Sequence, residues 1–452
     1  MLLERFEVEG LAHYSYAVGC PQAGAIAIVD PERNIERYLE FAEREGVRIA
    51  HVLETHIHAD YASGARALVE RTGAELHVSA YDVGETYEVG FAHRDMAEGD
   101  VIEIGPVRIV ALHTPGHTPE HLSFLVYDTV LSREIPQLML SGDFLFVGSL
   151  GRPDLLGADQ KLMLAKRLYS SVRDKLADLP DSLEIYPAHG AGSLCGAGLS
   201  GRPTSTLGFE RATNPYLDPE LDEQAFVDRI LGNVPPFPPY YLRMKQLNSD
   251  GAEAFEPRVE ALSPAAFEAR MKDGHEVVDL RDRNPYAGAH IPGSIASDPG
   301  ASLVVWASWL VPADKPLLLI ARDAEEAIDA ARVFARVGLD RTVAFLEGGM
   351  RAWQEAGLPV AQMRWFQFDP AVPAIDVRSA SEFEEGHVEG ARHIFLGELP
   401  DRLDELPPRH QPVALICRTG DRSTVAASVL ERAGFTDVQN IAGGMTALKK
   451  NS

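Results

Sequence analysis

The sequence predicts an α/β protein of several domains, a larger layered half followed by two copies of one smaller α/β unit. Three observations carry this prediction. At 452 residues the chain exceeds what one hydrophobic core supports, so two to four domains are expected. Short β-rich runs alternate with helical patterns over residues 1–205, the order that gives stacked layers with function on strand-end loops. Beyond residue 257 the chain repeats itself with a period of about 95 residues.

Composition narrows the function classes. Hydrophobic residues make up 45% and charged residues 24%, as in a soluble globular protein. The net charge of −25 argues against nucleic acid or an anionic membrane as partner, so an anionic substrate must meet a local cluster of Arg or Lys. No run approaches ~18 apolar residues, and no membrane span is expected. The opening Met1-Leu2-Leu3-Glu4-Arg5-Phe6-Glu7 lacks the apolar segment of a secretory signal. Cys20, Cys195 and Cys417 are too few for a disulfide framework, and a reducing, cytoplasmic setting is expected. Cys20 and Cys195 read as small buried residues.

The elements follow in order. Residues 25–29 form a buried apolar strand; Asp30 is expected to cap the next helix, with Pro31 in its first turn and Gly46 at its end. A second apolar strand over 48–54 runs into Thr55-His56-Ile57-His58-Ala59-Asp60-Tyr61, and Ser63 is a cap for the helix after it. Strands are predicted at 101–112, 122–128, 138–146 and 183–187, with a helix over 159–177. Residues 206–256 change texture: a Pro-rich, aromatic stretch at 234–241 and one short helical pattern at 219–232 predict a connector packed on the first domain.

The repeat defines the remainder as 257–362 and 363–452. Val277-Val278-Asp279-Leu280-Arg281 matches Ala374-Ile375-Asp376-Val377-Arg378, and His290 and His387 follow at the same spacing. Leu318-Leu319-Ile320-Ala321-Arg322 matches Ala414-Leu415-Ile416-Cys417-Arg418, and Glu347-Gly348-Gly349-Met350 matches Ala442-Gly443-Gly444-Met445. Asp279, Arg281, His290, Asp376, Arg378 and His387 are scaffold by this symmetry.

Two sites stand out. His113-Thr114-Pro115-Gly116-His117-Thr118, Leu140-Ser141-Gly142-Asp143 and Ile185-Tyr186-Pro187-Ala188-His189 join the His56 motif in the first half. Two imidazoles and one carboxylate suit divalent iron, manganese or zinc, and such a triad leaves coordination positions open. In the second repeat Cys417 follows an apolar strand over 413–416, and Cys417-Arg418-Thr419-Gly420-Asp421-Arg422 precedes a helical pattern over 423–433. Backbone N–H groups at a helix start, with Arg418 and Arg422 nearby, favour a thiolate nucleophile and cradle anions. The first repeat has Ala321 there, followed by Arg322-Asp323-Ala324-Glu325-Glu326, and cannot carry sulfur in this way.

These motifs resemble known families. The T-H-x-H-x-D-H pattern, with Tyr61 in place of the last histidine, and the P-G-H-T and S-G-D elements are similar to the persulfide dioxygenase branch of the metallo-β-lactamase superfamily. The tandem repeat resembles rhodaneses; related phosphatases have one more residue in the cysteine loop. The resemblance implies an αββα sandwich followed by two rhodanese-like α/β domains, the first inactive and serving packing or dimerisation. It implies mononuclear Fe(II), with Zn as a substitute, held by His56, His117 and Asp143. His58, Asp60 and His189 would stand behind these ligands or hold a second metal. Arg152, in Gly151-Arg152-Pro153-Asp154, would contact the carboxylate or phosphate of a thiol carrier, and Arg418, Thr419, Gly420, Asp421 and Arg422 would surround the substrate of Cys417. The implied activity oxidises a small-molecule thiol persulfide to sulfite with O2, with Cys417 forming or using thiosulfate, in a homo-oligomer. Two alternatives are a glyoxalase II-like thioester hydrolase with an attached rhodanese, and a non-enzymatic sulfur-carrier scaffold.

Overall fold

Strand Ala25–Val29 is buried at every position because it is covered on both faces: Ile26 and Ile28 point to one apolar cluster, Ala25, Ala27 and Val29 to another. This strand sits inside a four-layer arrangement. The structure, a computed structural model, describes residues 1–8, 10–297 and 300–451, with side chains through residue 448.

Residues Met1–Phe255, with Ala335–Gly338, form one compact unit. Its first sheet has six strands in sequence order: β1 Leu2–Val8, β2 His13–Cys20, β3 Ala25–Val29, β4 Arg48–Leu53, β5 Glu75–Ser79 and β6 Arg94–Met96. The second sheet uses β7 Val101–Ile104, β8 Val107–His113, β9 Leu122–Asp128, β10 Leu138–Gly142, β13 Glu184–Pro187 and β14 Ser205–Thr206, in the order β14-β13-β10-β9-β8-β7. A small hairpin, β11 Leu145–Phe146 with β12 Ser149–Leu150, lies between β10 and β13 in sequence. The inter-sheet core joins Tyr16, Val18, Ala27 and Leu53 to Ile109, Phe124, Val126 and Leu140. Helices α1 Glu36–Glu45 and α2 Ala65–Thr72 cover the first sheet through Tyr38, Phe41 and Leu68. Helices α3 Lys161–Lys175, α4 Leu207–Thr213 and α5 Glu223–Gly232 cover the second through Ala165, Leu168, Leu207 and Phe226. The result is the αββα sandwich.

Several local expectations are corrected. The run 101–112 is a hairpin, broken at Gly105 with φ 60°, and 138–146 is split by Gly142 at φ 53°. The connector holds three helices, α4, α5 and α6 Tyr241–Asp250, rather than one. Asp30 does not cap α1; it takes a left-handed backbone, φ 54°, and the helix begins only after Ile35. Ser63 stands one residue outside α2, whose N-cap is Gly64, yet its Oγ accepts from Ala65 N.

The second compact unit comprises Glu256–Phe334 and Leu339–Ser452. It contains two five-stranded parallel sheets with matching connectivity. The first uses β15 Glu260–Leu262, β16 Glu276–Asp279, β17 Ile295–Ala296, β18 Leu317–Ile320 and β19 Thr342–Leu346, in the order β15-β19-β18-β16-β17. The other uses β20 Trp365–Phe366, β21 Ala374–Asp376, β22 Arg392–His393, β23 Val413–Ile416 and β24 Val438–Ile441, in the order β20-β24-β23-β21-β22. One apolar cluster spans both copies, joining Tyr286, Ala296 and Trp306 to Met363, Val377, Leu415 and Ala426. No helix among the described residues is long and apolar enough to cross a membrane.

Candidate functional site

Three sequence-distant segments bring His56, His117 and Asp143 together in the first unit. His56 follows the end of β4, His117 lies in the turn between β8 and β9, and Asp143 directly follows β10. His117 Nε2 is 3.2 Å and His56 Nε2 4.0 Å from Asp143 Oδ2, and all three side chains are buried. Both Nε2 atoms and both Asp143 oxygens lack a hydrogen-bond partner. A buried polar atom left unpaired costs about 1–3 kcal/mol, so four converging orphans are what a cation site requires. The ring orientations agree. His117 Nδ1 donates to Arg152 O at 2.8 Å, and His56 Nδ1 donates to Thr55 Oγ1 at 2.9 Å, since that hydroxyl gives its own proton to Asp30 Oδ2. Each Nε2 is thereby a lone-pair donor aimed at Asp143. Burial and neighbouring imidazoles push both histidines well below the usual range, which keeps them neutral, while burial raises Asp143 to about 6.

His58 turns away from this trio. Its Nε2 lies 3.2 Å from Asp30 Oδ1 and 2.9 Å from Glu54 Oε2. Burial alone would lower its pKa, but the two carboxylates overcome that and hold it well above the ordinary value. Tyr61, fully buried, gives its phenol proton to Asp30 O at 3.2 Å and packs its ring against His13 and His58. Its oxygen is thus spent on the main chain. A second donor group adjoins the first: His189 Nε2 is 3.4 Å from both Asp60 Oδ2 and Asp143 Oδ1. The carboxylate oxygens of Asp60 and both ring nitrogens of His189 are also orphaned, and Cys195 offers its sulfur within 4.8 Å of them.

Arg152 corrects an expectation. Its five N–H groups are all committed, Nε and Nη2 to Asp154 at 2.7 and 2.9 Å and the rest to the carbonyls of Leu194, Pro235 and Pro236. It is 2% exposed and has no donor left for a substrate anion; it fastens the Pro-rich connector to the loop that holds His117. Gly151 permits that loop to press in, because a Cβ there would fall 1.9 Å from Asp143 O and 2.9 Å from His117 Nδ1.

Other supporting residues carry little or no signal in the sequence. His121 Nε2 accepts from Asp143 N at 3.0 Å, and its Nδ1 bonds Thr114 Oγ1 at 2.8 Å. From α6, Lys245 Nζ donates to Ile57 O at 2.7 Å, and Asn248 Nδ2 to His58 O and Tyr61 O at 2.8 and 2.7 Å. Tyr240 Oη donates to Asp60 O at 3.1 Å. His121 sits within four residues of the P-G-H-T element and is legible as a neighbour; the α6 residues have no local mark.

In the second unit, Cys417 directly follows β23 and is 1% exposed. Gly420 N donates to its Sγ at 3.1 Å, and Ser423 Oγ lies 3.4 Å away. The helix that follows starts at Asp421, two residues earlier than expected. Arg418 and Thr419 are exposed at the mouth of the loop. Arg422 is not free to cradle an anion with its fork: Nη1 and Nη2 donate to Glu382 at 2.6 and 2.7 Å. Asp421 accepts from Thr419 Oγ1 at 2.6 Å.

Comparison with known proteins agrees with this architecture. The Metallo-beta-lactamase superfamily model matches residues 8–189, and the Rhodanese-like domain model matches 263–356 and 363–451. A solved metallo-beta-lactamase from Staphylococcus aureus subsp. aureus COL is 33% identical with a TM-score of 0.69, covering 76% of this chain and 98% of that one. The hydroxyacylglutathione hydrolase of Polaromonas sp. is 32% identical over 191 residues, 42% of this chain and 66% of that relative, just short of two thirds of its length. The mitochondrial persulfide dioxygenase ETHE1 of Mus musculus is 27% identical over 224 residues, 49% of this chain and 78% of that protein. The chain belongs to the metallo-β-lactamase superfamily and carries two rhodanese-like domains at its C-terminal end.

Proposed function

We propose that the chain is a persulfide dioxygenase joined to a sulfurtransferase. The carrying observation is the convergence of three orphaned donors, His56, His117 and Asp143, beside a third histidine, His58, that is held elsewhere by Asp30 and Glu54. One divalent metal on these three residues, Fe(II) in the active protein with Zn as a substitute, would supply open positions and electrons for joining a persulfide to dioxygen. The chain's own part is positional. The Arg152 carbonyl and the Thr55 hydroxyl fix the two imidazoles, His121 fixes the Asp143 main chain, and the buried setting keeps bulk water from the reacting sulfur. The net change is RS–SH + O2 + H2O → RSH + SO3²⁻ + 2H⁺, with RSH a small thiol.

Cys417 supplies the second step. Its thiolate attacks the outer sulfur of another RS–SH, releasing RSH and leaving Cys417–S–S⁻. Sulfite then attacks that outer sulfur, so thiosulfate leaves and the thiolate returns; the reverse route uses thiosulfate. Oxygen uptake by the iron-loaded Cys417→Ser protein on adding a small persulfide tests the first site. Uptake that His117→Ala abolishes is the expected result, and no uptake with several persulfides sinks the proposal.

One observation favours a second reading. Asp60, His189 and Cys195 form a further set of buried donors sharing Asp143, and a second metal there would suit hydrolysis of a hydroxyacylglutathione thioester. Two metal equivalents per chain together with thioesterase activity would move that reading to the front.

A further inference from the structure

We infer that Arg283, a residue of the silent rhodanese-like copy, is a positioning residue for sulfur transfer at Cys417 in the other copy. The inference rests on the reading of Cys417 as the sulfur-carrying nucleophile. Arg283 opens the short helix Arg283–Gly288 that follows β16, yet its Nη1 reaches the cysteine loop. There it donates to Thr419 O at 2.8 Å and to Asp421 Oδ1 at 2.8 Å. These two residues flank Gly420, whose N–H donates to Cys417 Sγ at 3.1 Å.

The Thr419 carbonyl and the Gly420 N–H belong to one planar trans peptide group, so they point in opposite directions. Holding the oxygen on one side therefore holds the N–H on the sulfur at the other. The hold is needed because Gly420 has φ 117°, and glycine lets such a peptide turn over at little cost. A bond to the carbonyl also polarises the amide and strengthens what it gives the thiolate. The second bond from Nη1 offsets the Asp421 carboxylate, a charge that would otherwise oppose a thiolate nearby. The packing is close: a Cβ added at Gly420 would meet Trp365 at 3.1 Å and Arg283 Nη1 at 3.3 Å. The repeat does not require this arginine. Ala380 occupies the corresponding place in the second copy, so the contact runs in one direction only.

The silent copy thus has a role in the chemistry of its twin, because it holds the peptide that faces the sulfur. The test follows alkylation of Cys417 by iodoacetamide in the full chain, read by peptide mass spectrometry from about pH 5 to about pH 10, alongside kcat and KM for transfer from thiosulfate to cyanide. Arg283→Gln is expected to slow alkylation near neutral pH about tenfold, to displace the rate profile to more alkaline pH, and to lower kcat with KM changed less than about twofold. Arg283→Lys, which keeps a cationic donor, is expected to fall between. A wild-type alkylation profile in Arg283→Gln overturns the proposal, and so does a change confined to KM, which would make Arg283 a substrate contact. If circular dichroism shows that the Gln variant is misfolded, Arg283→Lys is judged by the same criteria. Cys417→Ser is the separate control: if it retains transfer, the nucleophile reading falls, while the alkylation profiles still decide the role of Arg283.

Discussion

In the first rhodanese-like copy Arg281 grips Asp279 with Nε and Nη2 at 2.9 and 2.6 Å and reaches Ala289 O at 2.8 Å. In the second, Arg378 grips Asp376 at the same two distances and reaches Gly386 O at 2.9 Å. The sheets have the same strand order. The loop that follows β18 in one copy and β23 in the other is where they part. Around Cys417 the loop turns the Gly420 amide inward to the sulfur, whereas after Ala321 the Arg322 amide is taken by the Glu326 carboxylate and Asp323 accepts from Glu326 N at 2.9 Å. The silent copy has closed its anion cup with its own acids. The shared Asp–Arg grip serves the fold of both copies, and the loop that differs sets their chemistry apart.

The sharpest way to break this comparison is to move the thiol. Ala321→Cys in a Cys417→Ser background should leave sulfur transfer at least about a hundredfold below wild type, because Asp323 and Glu326 set negative charge in this loop and take its Arg322 and Glu326 amides. Recovery beyond about a tenth of wild-type activity would show that the thiol alone distinguishes the copies.

A smaller effect separates the paired glycines. Gly444 and Gly349 have similar left-handed backbones, φ 52° and 58°, but a Cβ at Gly444 would fall 2.3 Å from Cys417 O, against 3.9 Å from Ala321 O at Gly349. Gly349→Ala should cost about 1 kcal/mol of backbone strain, and Gly444→Ala about 3 kcal/mol, since main chain must also shift. Urea denaturation of the two variants checks the order, and equal losses would contradict it.

The smallest effect concerns acid. Burial opposes ionisation of Glu382, but the Arg422 fork and the Ser379 amide outweigh it and bring its pKa down to about 2. A carboxyl depressed in the folded state stabilises above its unfolded value, near 4.5, and loses that contribution as pH falls through about 2. Glu382→Gln should therefore flatten the stability loss across that window by roughly 1 kcal/mol, after allowing for solvent screening. The first copy, with Pro285 at the matching place, has no such pair. Denaturation series at about pH 5 and about pH 2.5 would measure the difference.

Short motifs are readable because their geometry is local. The donors His56, His117 and Asp143 each sit near a strand end announced by an apolar run, and the tandem copies are visible as repeated strand-and-glycine words. What escapes depends on contacts between distant segments. Lys245 and Asn248 support Ile57 and His58 from 188 and 190 residues away, and nothing in the pattern of α6 marks them. Asp30 followed by Pro31 reads as a helix start, yet tertiary demand wins: its carboxylate binds Thr55 and His58, and the backbone adopts a left-handed turn to deliver it. Arg152 departs from expectation for a related reason. A G-R-x-D element shows a guanidinium, but only the folded connector shows that all its donors are taken.

The apolar cluster that spans both rhodanese-like copies bears on how such a chain can change over time. A duplicated domain usually remains a spare that deletion can remove. Here Trp306, Tyr286 and Ala296 lie in the same cluster as Val377 and Leu415, Ala296 N is capped by Ser428 Oγ at 3.1 Å, and Glu276 pairs with Arg432 at 2.7 Å. Excising the silent copy would bare an oily flank on the helix that starts beside Cys417. Mutation can wander freely in the Ala321 loop, but the buried flank ratchets the duplication in place.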